Sequence, residues 1–459
     1  MKTGKYLSNL TPLRGIAALL TVLFHVDLVL NSFGGHLIDG RSSSIFSRMY
    51  LMVDFFFVLS GFILCHVYAK NFDGPVKRRD FKNFIIARFA RVYPLHLFSL
   101  ILTALFLFLL HQWGATVPPV LDAENSMYAL ITNLLLLHSM NLHKWFTFTH
   151  ASWSISTEWW VYMLFPFLVG PFLKLSKPGR YIMIALCIAG YLVIGFVLVP
   201  LVTVPDKLNF LKIHPFSLNV AYQFGFFRCL IGFVMGMMVY SGYKRDWAKQ
   251  FLSSGYTFLV LISGLALCMH FAIPDVLTLL FFPLILLAAA YGNKNLNAFL
   301  GLKPLQKLGD WSFSIYLMHQ PFLYQGAALL SNQGKTGIAI PKMDLAISWT
   351  VCFVFVLFIL FISWLSYRFI ELPLRDFINE NWGKQKIHST GIINDIQYAP
   401  LLKSNLESYI FSIEAPGENN FTQTKVMESV AGQNVKIMPD VPVGGKSDNA
   451  GGISGLSRI

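Results

Sequence analysis

Two polar side chains lie inside the first long apolar stretch of this chain, residues 10–30. They are Arg14 and His25, and charged or titratable groups within a hydrocarbon-spanning helix are costly enough to indicate function. Eleven residues at 100° each make about three turns plus roughly 20°, so both side chains project from one helix face, about 16 Å apart along the axis. A neutral imidazole accepts a proton from a hydroxyl near neutral pH. The pair therefore predicts acid–base chemistry on an inward-facing helix face.

The composition of the chain is that of an integral membrane protein. Of its 459 residues, 55% are hydrophobic and only 13% are charged. Apolar runs of about twenty residues recur, and a segment that spans a bilayer must satisfy its backbone hydrogen bonds internally. The sequence therefore predicts an all-α bundle of about ten transmembrane helices. The predicted spans are residues 10–30, 48–69, 92–111, 152–173, 181–203, 223–243, 254–272, 275–292, 309–330 and 343–367.

Basic residues set the predicted orientation of these spans. Lys and Arg exceed Asp and Glu by 36 to 23, a formal charge of +13. In a membrane protein such an excess marks cytoplasmic loops rather than nucleic-acid contacts. When the basic clusters at 70–91, 174–180, 244–249 and 294–307 are placed in the cytoplasm, both termini are cytoplasmic too. The apolar segment 127–140 is too short to cross comfortably and is interpreted as re-entrant or interfacial.

The sequence divides into a membrane domain and a tail. Residues 1–376 hold all the predicted spans, whereas residues 377–459 carry scattered Gly, Asn, Ser and charged residues with only short apolar patches. We expect 377–459 to be a cytoplasmic tail that is partly disordered. The five cysteines fall singly in or beside apolar runs. They predict neither a metal site nor a disulfide framework.

Arg88 and Arg91 lie three residues apart just before the third predicted span. One interpretation is that they obey the positive-inside rule and extend their charged ends to the membrane surface. The other is that the two guanidinium groups, on adjacent helix faces, clamp the phosphates of an anionic cytosolic ligand. Spacing alone favours the first interpretation.

Glu158 lies among aromatic residues in the sequence WSISTEWW, residues 153–160, at the start of a predicted span. A carboxylate buried there is suited to acid–base work. The alternative is a structural carboxylate sealed against an arginine of a neighbouring span, such as Arg228. Composition favours neither interpretation over the other.

Other polar side chains fall within the predicted spans. Asp54 lies in the second span, where such groups more often tie helices together. Ser312 and His319 polarise the ninth span, residues 309–330. A single buried histidine is by default a core residue, so His319 alone predicts no chemistry.

Taken together and in this order, these pieces resemble the membrane-bound acyltransferase family 3, the bacterial O-acyltransferases that decorate surface glycans. The resemblance covers residues 5–375, nearly the whole predicted membrane domain. Its pieces are Leu13-Arg14-Gly15 with His25, residues 54–62, Arg88 to Pro94, Trp153-Ser154 through Glu158, Phe227-Arg228 through Gly236, Gly309 to Pro321, and Tyr367 to Pro373.

The resemblance implies an enzyme that moves an acyl group, most simply acetyl, from cytosolic acyl-CoA to a hydroxyl of a carbohydrate at or beyond the outer face of a bacterial inner membrane. His25 matches the family's essential histidine, and Arg14 matches its paired arginine. Arg88 and Arg91 match its Arg-x-x-Arg motif, which reverses the preference above and makes them CoA-phosphate contacts. Glu158 matches the acidic position of the Trp-Ser motif. No metal is expected.

A mechanism follows from these matches. The acyl-CoA phosphates dock on Arg88 and Arg91, the pantetheine arm reaches toward His25, and His25 acts as base on the acceptor hydroxyl. Arg14 orients the donor or stabilises negative charge, while Glu158 fixes the imidazole tautomer or handles protons. In the simplest scheme one cavity presents both substrates to His25. A transient acyl-histidine is the alternative to direct transfer.

Other functions stay open on the residues alone. The acceptor hydroxyl can belong to a small molecule or a glycolipid instead of a polysaccharide. From a different class, intramembrane His, Arg and Glu can form the ion path of a proton-coupled transporter, and a non-catalytic scaffold is the third candidate. Members of the resembled family often carry an SGNH hydrolase-like domain after the bundle, whereas we expect a stand-alone enzyme here. The sequence does not predict an oligomeric state.

Overall fold

The computed structural model describes residues 7–205, 217–333 and 343–383, and every regular element in these ranges is helical. This agrees with the all-α prediction. Of the predicted tail, residues 384–459 lie outside the described residues, so its disorder stays a prediction. Residues 377–382 continue a helix that begins at Leu372, before the predicted domain boundary.

The helices are numbered in chain order, with short 3-10 and π segments between some of them. The first half contains α1 (Leu10–Ser32), α2 (Ile45–Arg48), α3 (Met52–Tyr68), α4 (Arg78–Gln112), α5 (Pro119–Asp122), α6 (Met127–Leu134), α7 (Trp153–Leu173), α8 (Lys177–Val193) and α9 (Val199–Leu201). The second contains α10 (Gly225–Lys244), α11 (Lys249–Leu252), α12 (Gly255–His270), α13 (Asp275–Leu279), α14 (Phe281–Tyr291), α15 (Lys294–Leu300), α16 (Lys303–Asp310), α17 (Ser312–Ser331), α18 (Leu345–Ser366) and α19 (Leu372–Trp382).

Six helical segments in the described ranges are long and apolar enough to cross a membrane. A seventh is possible if the bent pair Asp275–Tyr291 and Lys294–Leu300, which turns by 100°, makes one crossing. All ten predicted spans are helical, but α7, α12 and α17 are too short or too polar to pass the same test. The chain is therefore a helical membrane protein, and the count of about ten crossings stays a prediction. The six segments are Leu10–Ser32, Ile45–Asn71, Arg78–Gln112, Lys177–Leu201, Gly225–Lys244 and Leu345–Trp382.

Helices α3 and α10 form the most extensive helix pair of the described bundle. Two glycines allow it, because a Cβ at Gly61 would overlap the carbonyl oxygen of Phe233, and a Cβ at Gly236 would overlap that of Val58. Small residues at matched positions let two backbones approach closely where no hydrophobic effect drives helix association. This contact fixes α3 and α10 as the centre of the bundle.

A second close approach joins α1 to the α16–α17 junction. Gly15 lies against the backbone of Leu308 and Gly309, and a Cβ at Gly309 would overlap the carbonyl oxygen of Thr11. Because Gly15 follows Arg14 directly, the contact brings the Arg14 side chain to the start of α17. α1 then runs alongside α17, so its inward face meets that helix along several turns.

Residues 127–152 contain one eight-residue helix, α6, followed by irregular backbone. The irregular part is buried in places, as at Ser139 and Thr149, and exposed in others, as at Leu135 and Leu142. The re-entrant and the interfacial interpretation of residues 127–140 both stay predictions. The segment leads the chain into α7.

Gly236→Ala should lower the thermal stability of the detergent-solubilised protein, because the new methyl group overlaps the Val58 carbonyl oxygen. Overpacking of this kind costs about 1–3 kcal/mol. The matched control is Gly326→Ala in α17, where a Cβ meets no atom within 4 Å. Since alanine is favoured over glycine in a helix by about 1 kcal/mol, the control should melt at or above the wild-type temperature. Size-exclusion recovery after heating measures both, and an unchanged Gly236→Ala protein would contradict the close packing of α3 and α10.

Candidate active site

A cavity of about 160 Å³ lies between α1, α3, α4, α7 and α17. It brings together five of the residues singled out in the sequence, from four different helices. Three of the five are arginines, so positive charge dominates the polar part of the wall. The polar lining residues include Arg14, Ser60, Arg88, Arg91, Glu158 and Ser312.

Arg14 reaches the cavity from the first turns of α1. Its Nη2 donates to the Ser312 hydroxyl at 3.3 Å and approaches the Gly309 carbonyl oxygen at 3.5 Å. These two contacts orient the guanidinium, and the Asp310 carboxylate lies within its electrostatic reach. The Gly15 contact with the α16–α17 junction is what places Arg14 there.

Arg88 lies on α4, which runs unbroken through Pro94, so the Arg-x-x-Arg motif belongs to the same helix as the third predicted span. Arg88 donates to the Tyr68 hydroxyl at 3.3 Å, and its guanidinium lies over the rings of Tyr68 and Tyr162 at 5.5 and 6.0 Å. Its Nε–H is buried and meets no acceptor in the part of the chain that the structure describes. A cation held by aromatic faces, with one donor unsatisfied, is suited to an anionic ligand.

Arg91 differs from Arg88 because a carboxylate of this chain neutralises it. Its Nη1 is hydrogen-bonded and ion-paired to Glu371, whose other oxygen accepts from the Ser314 hydroxyl at 2.8 Å. The Glu371 side chain is 1% exposed and that of Arg91 is 18% exposed. The two arginines of the motif therefore point inward, unlike side chains that extend to the membrane surface. Arg91 forms an ion pair with Glu371, whereas Glu158 lies within electrostatic reach of Arg88.

Glu158 lines the cavity beside Arg88. The hydroxyls of Ser60 and Tyr162 hydrogen-bond to its carboxylate, and Arg88 and Arg91 lie within electrostatic reach. Its partner is thus not Arg228, the arginine named as its structural alternative. Glu158 makes no contact with His25 either, so the expected role in fixing the imidazole tautomer has no geometric basis here.

Arg228 pairs with Asp54 in the interior of the bundle. The contact is bidentate, with Nε to Oδ1 at 2.9 Å and Nη2 to Oδ2 at 2.5 Å, and both side chains are at most 1% exposed. Arg228 also donates to the Val220 carbonyl oxygen at 3.2 Å and lies 5.4 Å from the Trp153 ring. The pair joins α3 to α10, so the contacts of Asp54 are those expected of a residue that ties two helices together.

A second buried carboxylate, Asp275, extends this network and had no signal in the sequence. Arg48 donates to it at 2.5 Å, the Leu218 backbone N–H donates at 2.8 Å, and the Tyr50 hydroxyl is also bonded to it. Tyr50 in turn lies under the Arg228 guanidinium, 5.6 Å from it. The two acid–arginine pairs form one internal framework that lies apart from the cavity lining.

His25 does not line the cavity. It lies three turns further along α1, about 16 Å from Arg14 along the axis, and it faces the same helix α17 that Arg14 meets. Its Nδ1 lies 2.9 Å from the Thr21 carbonyl oxygen and 3.2 Å from His319 Nε2, and its Nε2 lies 3.0 Å from Gln320 Nε2. His319 is therefore no isolated core residue, and Gln320 is a contact that sequence reasoning missed.

Tyr316 lies between the cavity and the histidines. It lines the cavity, its ring centroid is 6.2 Å from that of His319, and its hydroxyl is hydrogen-bonded to Ser154 at 2.7 Å and to the Ala151 carbonyl at 3.0 Å. Tyr316 thus connects the cavity lining to the His25–His319 contact. Tyr316, Gln320 and Glu371 all lie in stretches quoted for the family resemblance, which was the one signal that could have found them.

Within the ranges described, no group of three or more His, Cys, Asp or Glu side chains is arranged to hold a metal ion. The five cysteines are free thiols.

Asp54→Asn should destabilise the protein by about 3–5 kcal/mol, because it leaves the buried charge of Arg228 without its counter-ion. The double variant Asp54→Leu with Arg228→Leu should recover part of that loss, since no charge is then stranded. Asp246→Asn is the control, because Asp246 and Lys249 form an exposed pair that should contribute nothing measurable. Melting temperatures in detergent test this, and a double variant less stable than Asp54→Asn would contradict the argument.

Comparison with known proteins agrees with the resemblance. The model of acyltransferase family 3, described as "Acyltransferase domain", matches residues 8–368. "Acyltransferase MdmB" of Streptomyces mycarofaciens is 26% identical over 345 residues, which cover 71% of this chain and 81% of that protein. "Protein 2 in picA locus" of Rhizobium radiobacter is 34% identical over 155 residues, 32% of this chain and 73% of that protein.

A third relative is longer than this chain. "O-acetyltransferase OatA" of Staphylococcus aureus is 25% identical over 389 residues, which cover 82% of this chain but 58% of that protein. No solved structure matches the chain. The family match spans well over half of the sequence, and the structure is a helical membrane bundle. The chain belongs to the membrane-bound acyltransferase family 3 and is an O-acyltransferase.

Proposed function

We propose that this enzyme transfers an acetyl group from cytosolic acyl-CoA to a hydroxyl of a cell-surface or exported carbohydrate, with His25 as general base. The observation that carries the proposal is that Arg14 and His25 both contact α17. The start of α17 meets Arg14 beside the arginine-lined cavity, and three turns further along α1 the same helix meets His25. An anionic donor bound at the first position therefore points along a defined path toward a base at the second.

The predicted topology supports cytosolic entry of the donor. α1, α4 and α17 are the first, third and ninth predicted spans, so all three run outward from the cytoplasmic side of a bacterial inner membrane. Arg14, Arg88 and Ser312 lie in the first third of their helices. The cavity is then nearer the cytoplasm, and His25 lies deeper, nearer to an acceptor on the outer side.

Arg88 is the best-placed contact for the donor phosphates. Its Nε–H is unsatisfied and its side-chain partner is a neutral phenol, whereas Arg91 is bound to Glu371. Arg14 adds a second guanidinium at the same cavity. We therefore revise the predicted clamp of Arg88 with Arg91 to one in which Arg88 and Arg14 bind the phosphates and the Arg91–Glu371 pair holds α4 in position.

The chemical step balances without any further reactant. The acceptor hydroxyl gives its proton to His25 Nε2 as its oxygen forms a bond to the thioester carbonyl carbon. The carbon–sulfur bond then breaks, and the leaving thiolate takes the proton from the imidazolium to give free CoA. In the alternative route, the acyl group rests on His25 before the acceptor arrives. Acetyl trapped on His25 without acceptor would favour that route.

His25→Ala should reduce acetyl transfer by about 10²- to 10⁴-fold, the usual contribution of a general base. Membranes from cells that express each variant at matched levels are given labelled acetyl-CoA, and the label is counted in the polysaccharide, lipid and small-molecule fractions. His36→Ala, in the loop after α1, is the control and should retain the wild-type rate. The labelled fraction identifies the acceptor class, and a His25→Ala rate equal to wild type would remove His25 from the mechanism.

Arg88→Ala should raise KM for acetyl-CoA about 10- to 150-fold, because a hydrogen bond to a charged group contributes about 1.5–3 kcal/mol. Arg79→Ala, an exposed arginine on the first turn of the same helix, is the matched control and should leave KM near wild type. Initial rates over a range of acetyl-CoA concentrations give both values. If Arg88→Ala changed kcat alone, the guanidinium would act on the reacting atoms and not on the donor phosphates.

A further inference from the structure

Gln320 is a buried residue that contacts the base of the proposed reaction and has no role in the mechanism above. It lies on α17, its side chain is 3% exposed, and its amide joins two other elements of the bundle. One end of the amide meets the backbone at Ala151, in the turn before α7, and the other end meets His25 on α1.

The backbone contact fixes which way the amide points. The Ala151 N–H can only donate, so the group that receives it is the Gln320 carbonyl oxygen Oε1. The amide nitrogen is then directed at His25 Nε2, 3.0 Å away. Because an amide nitrogen only donates, His25 Nε2 is the acceptor in this contact and carries no proton.

The contacts of the other ring nitrogen, Nδ1, independently place the His25 proton on Nδ1 and not on Nε2. The Thr21 carbonyl oxygen can only accept, so His25 Nδ1 carries the proton that it receives at 2.9 Å. His319 Nδ1 likewise donates to the Ile315 carbonyl oxygen at 3.2 Å, which leaves its Nε2 as a second acceptor for the His25 proton at 3.2 Å. All these contacts are satisfied together only by a neutral His25 with its proton on Nδ1.

We propose that Gln320 is a positioning residue: it holds His25 as the neutral Nδ1–H tautomer and keeps Nε2 unprotonated, so that Nε2 takes the acceptor's proton when the acceptor hydroxyl replaces the Gln320 amide there. This deepens the proposed function and rests on its assignment of His25 as base. The role expected of Glu158 in the sequence belongs to Gln320 instead.

The same geometry opposes a protonated His25 while the site is at rest. An imidazolium would point its Nε2–H at the amide NH₂ of Gln320, and two donors cannot bond each other. The amide would have to turn over, and Oε1 would then leave the Ala151 N–H. Proton uptake at Nε2 is thus coupled to a movement of Gln320, which returns when the proton passes to the leaving thiolate.

The groups around His25 that carry or gain charge are few. His319 and Tyr324 face it from α17, the Tyr324 ring centroid lying 6.1 Å away. His150 lies within electrostatic reach from the turn before α7. Among the described residues, no carboxylate or guanidinium is in contact with His25. A charge introduced at position 320 is therefore the dominant change in its surroundings.

Gln320→Glu tests the proposal. A carboxylate accepts from both the Ala151 N–H and an imidazolium, so it favours protonated His25, and the base is lost at a higher pH. The acid limb of kcat/KM for acetyl-CoA should therefore move up by about 1–3 pH units, the shift that an adjacent opposite charge produces. Gln325→Glu is the matched control. Gln325 is also a buried residue of α17, but it lies five residues further on, so it projects about 140° away from Gln320. Its acid limb should stay at the wild-type pH.

The outcomes separate this proposal from the one on which it rests. If His25→Ala is inactive while the Gln320→Glu profile superimposes on wild type, His25 is the base and the role of Gln320 is wrong. If His25→Ala retains activity, the assignment of the base itself fails. If Gln320→Glu does not give a monodisperse protein, Gln320→Met decides, because loss of the donor to neutral Nε2 should move the acid limb in the same direction by a smaller amount. An unmoved profile there would overturn the proposal.

Discussion

A charge inside the hydrocarbon layer must find a partner within the protein, and this constraint organises the bundle. The Asp54–Arg228 pair meets this constraint most completely, because two parallel hydrogen bonds join the side chains and neither is appreciably exposed. Removing one member would strand the other, whereas the pair together contributes little net stability over a well-packed apolar contact. What the pair supplies is register, because only one rotation of α3 against α10 lets these groups meet while Gly61 and Gly236 lie against the facing backbone.

The interior arginines differ in how completely their charges and N–H groups are paired within the protein. The completely paired arginine is structural, and the incompletely paired one is the candidate for binding a ligand. Arg228 has a carboxylate, a carbonyl oxygen and two aromatic faces. Arg91 has Glu371 but also borders the cavity. Arg88 is held by phenol rings and keeps a buried Nε–H without an acceptor. Other buried polar atoms of the described residues also lack a partner, but the Arg88 Nε–H belongs to a cation that lines the cavity, which is why the proposed donor site is placed there.

The helices and their inward faces were predictable because hydrophobic periodicity is local information. The spacing of Arg14 and His25 placed both on one face, and both do meet α17. The partners were not predictable, since Arg91 and Glu371 are 280 positions apart and nothing in either motif states the contact. Gln320 was hidden for a further reason. Its role depends on the Ala151 backbone N–H, which only the irregular segment before α7 brings into the bundle.

The distance between the arginines and His25 suits the proposed reaction. A fixed guanidinium opposes proton uptake by a neutral imidazole, and at an effective dielectric of about 20 this costs about 4 kcal/mol at 4 Å but only about 1 kcal/mol at 16 Å. The proposed reaction, with a polyanionic donor and a neutral base, needs these two groups to be separate but aligned. Three turns of α1 against α17 do this, since the arginines lie at one end and the base, surrounded by neutral amide, imidazole and carbonyl groups, lies at the other.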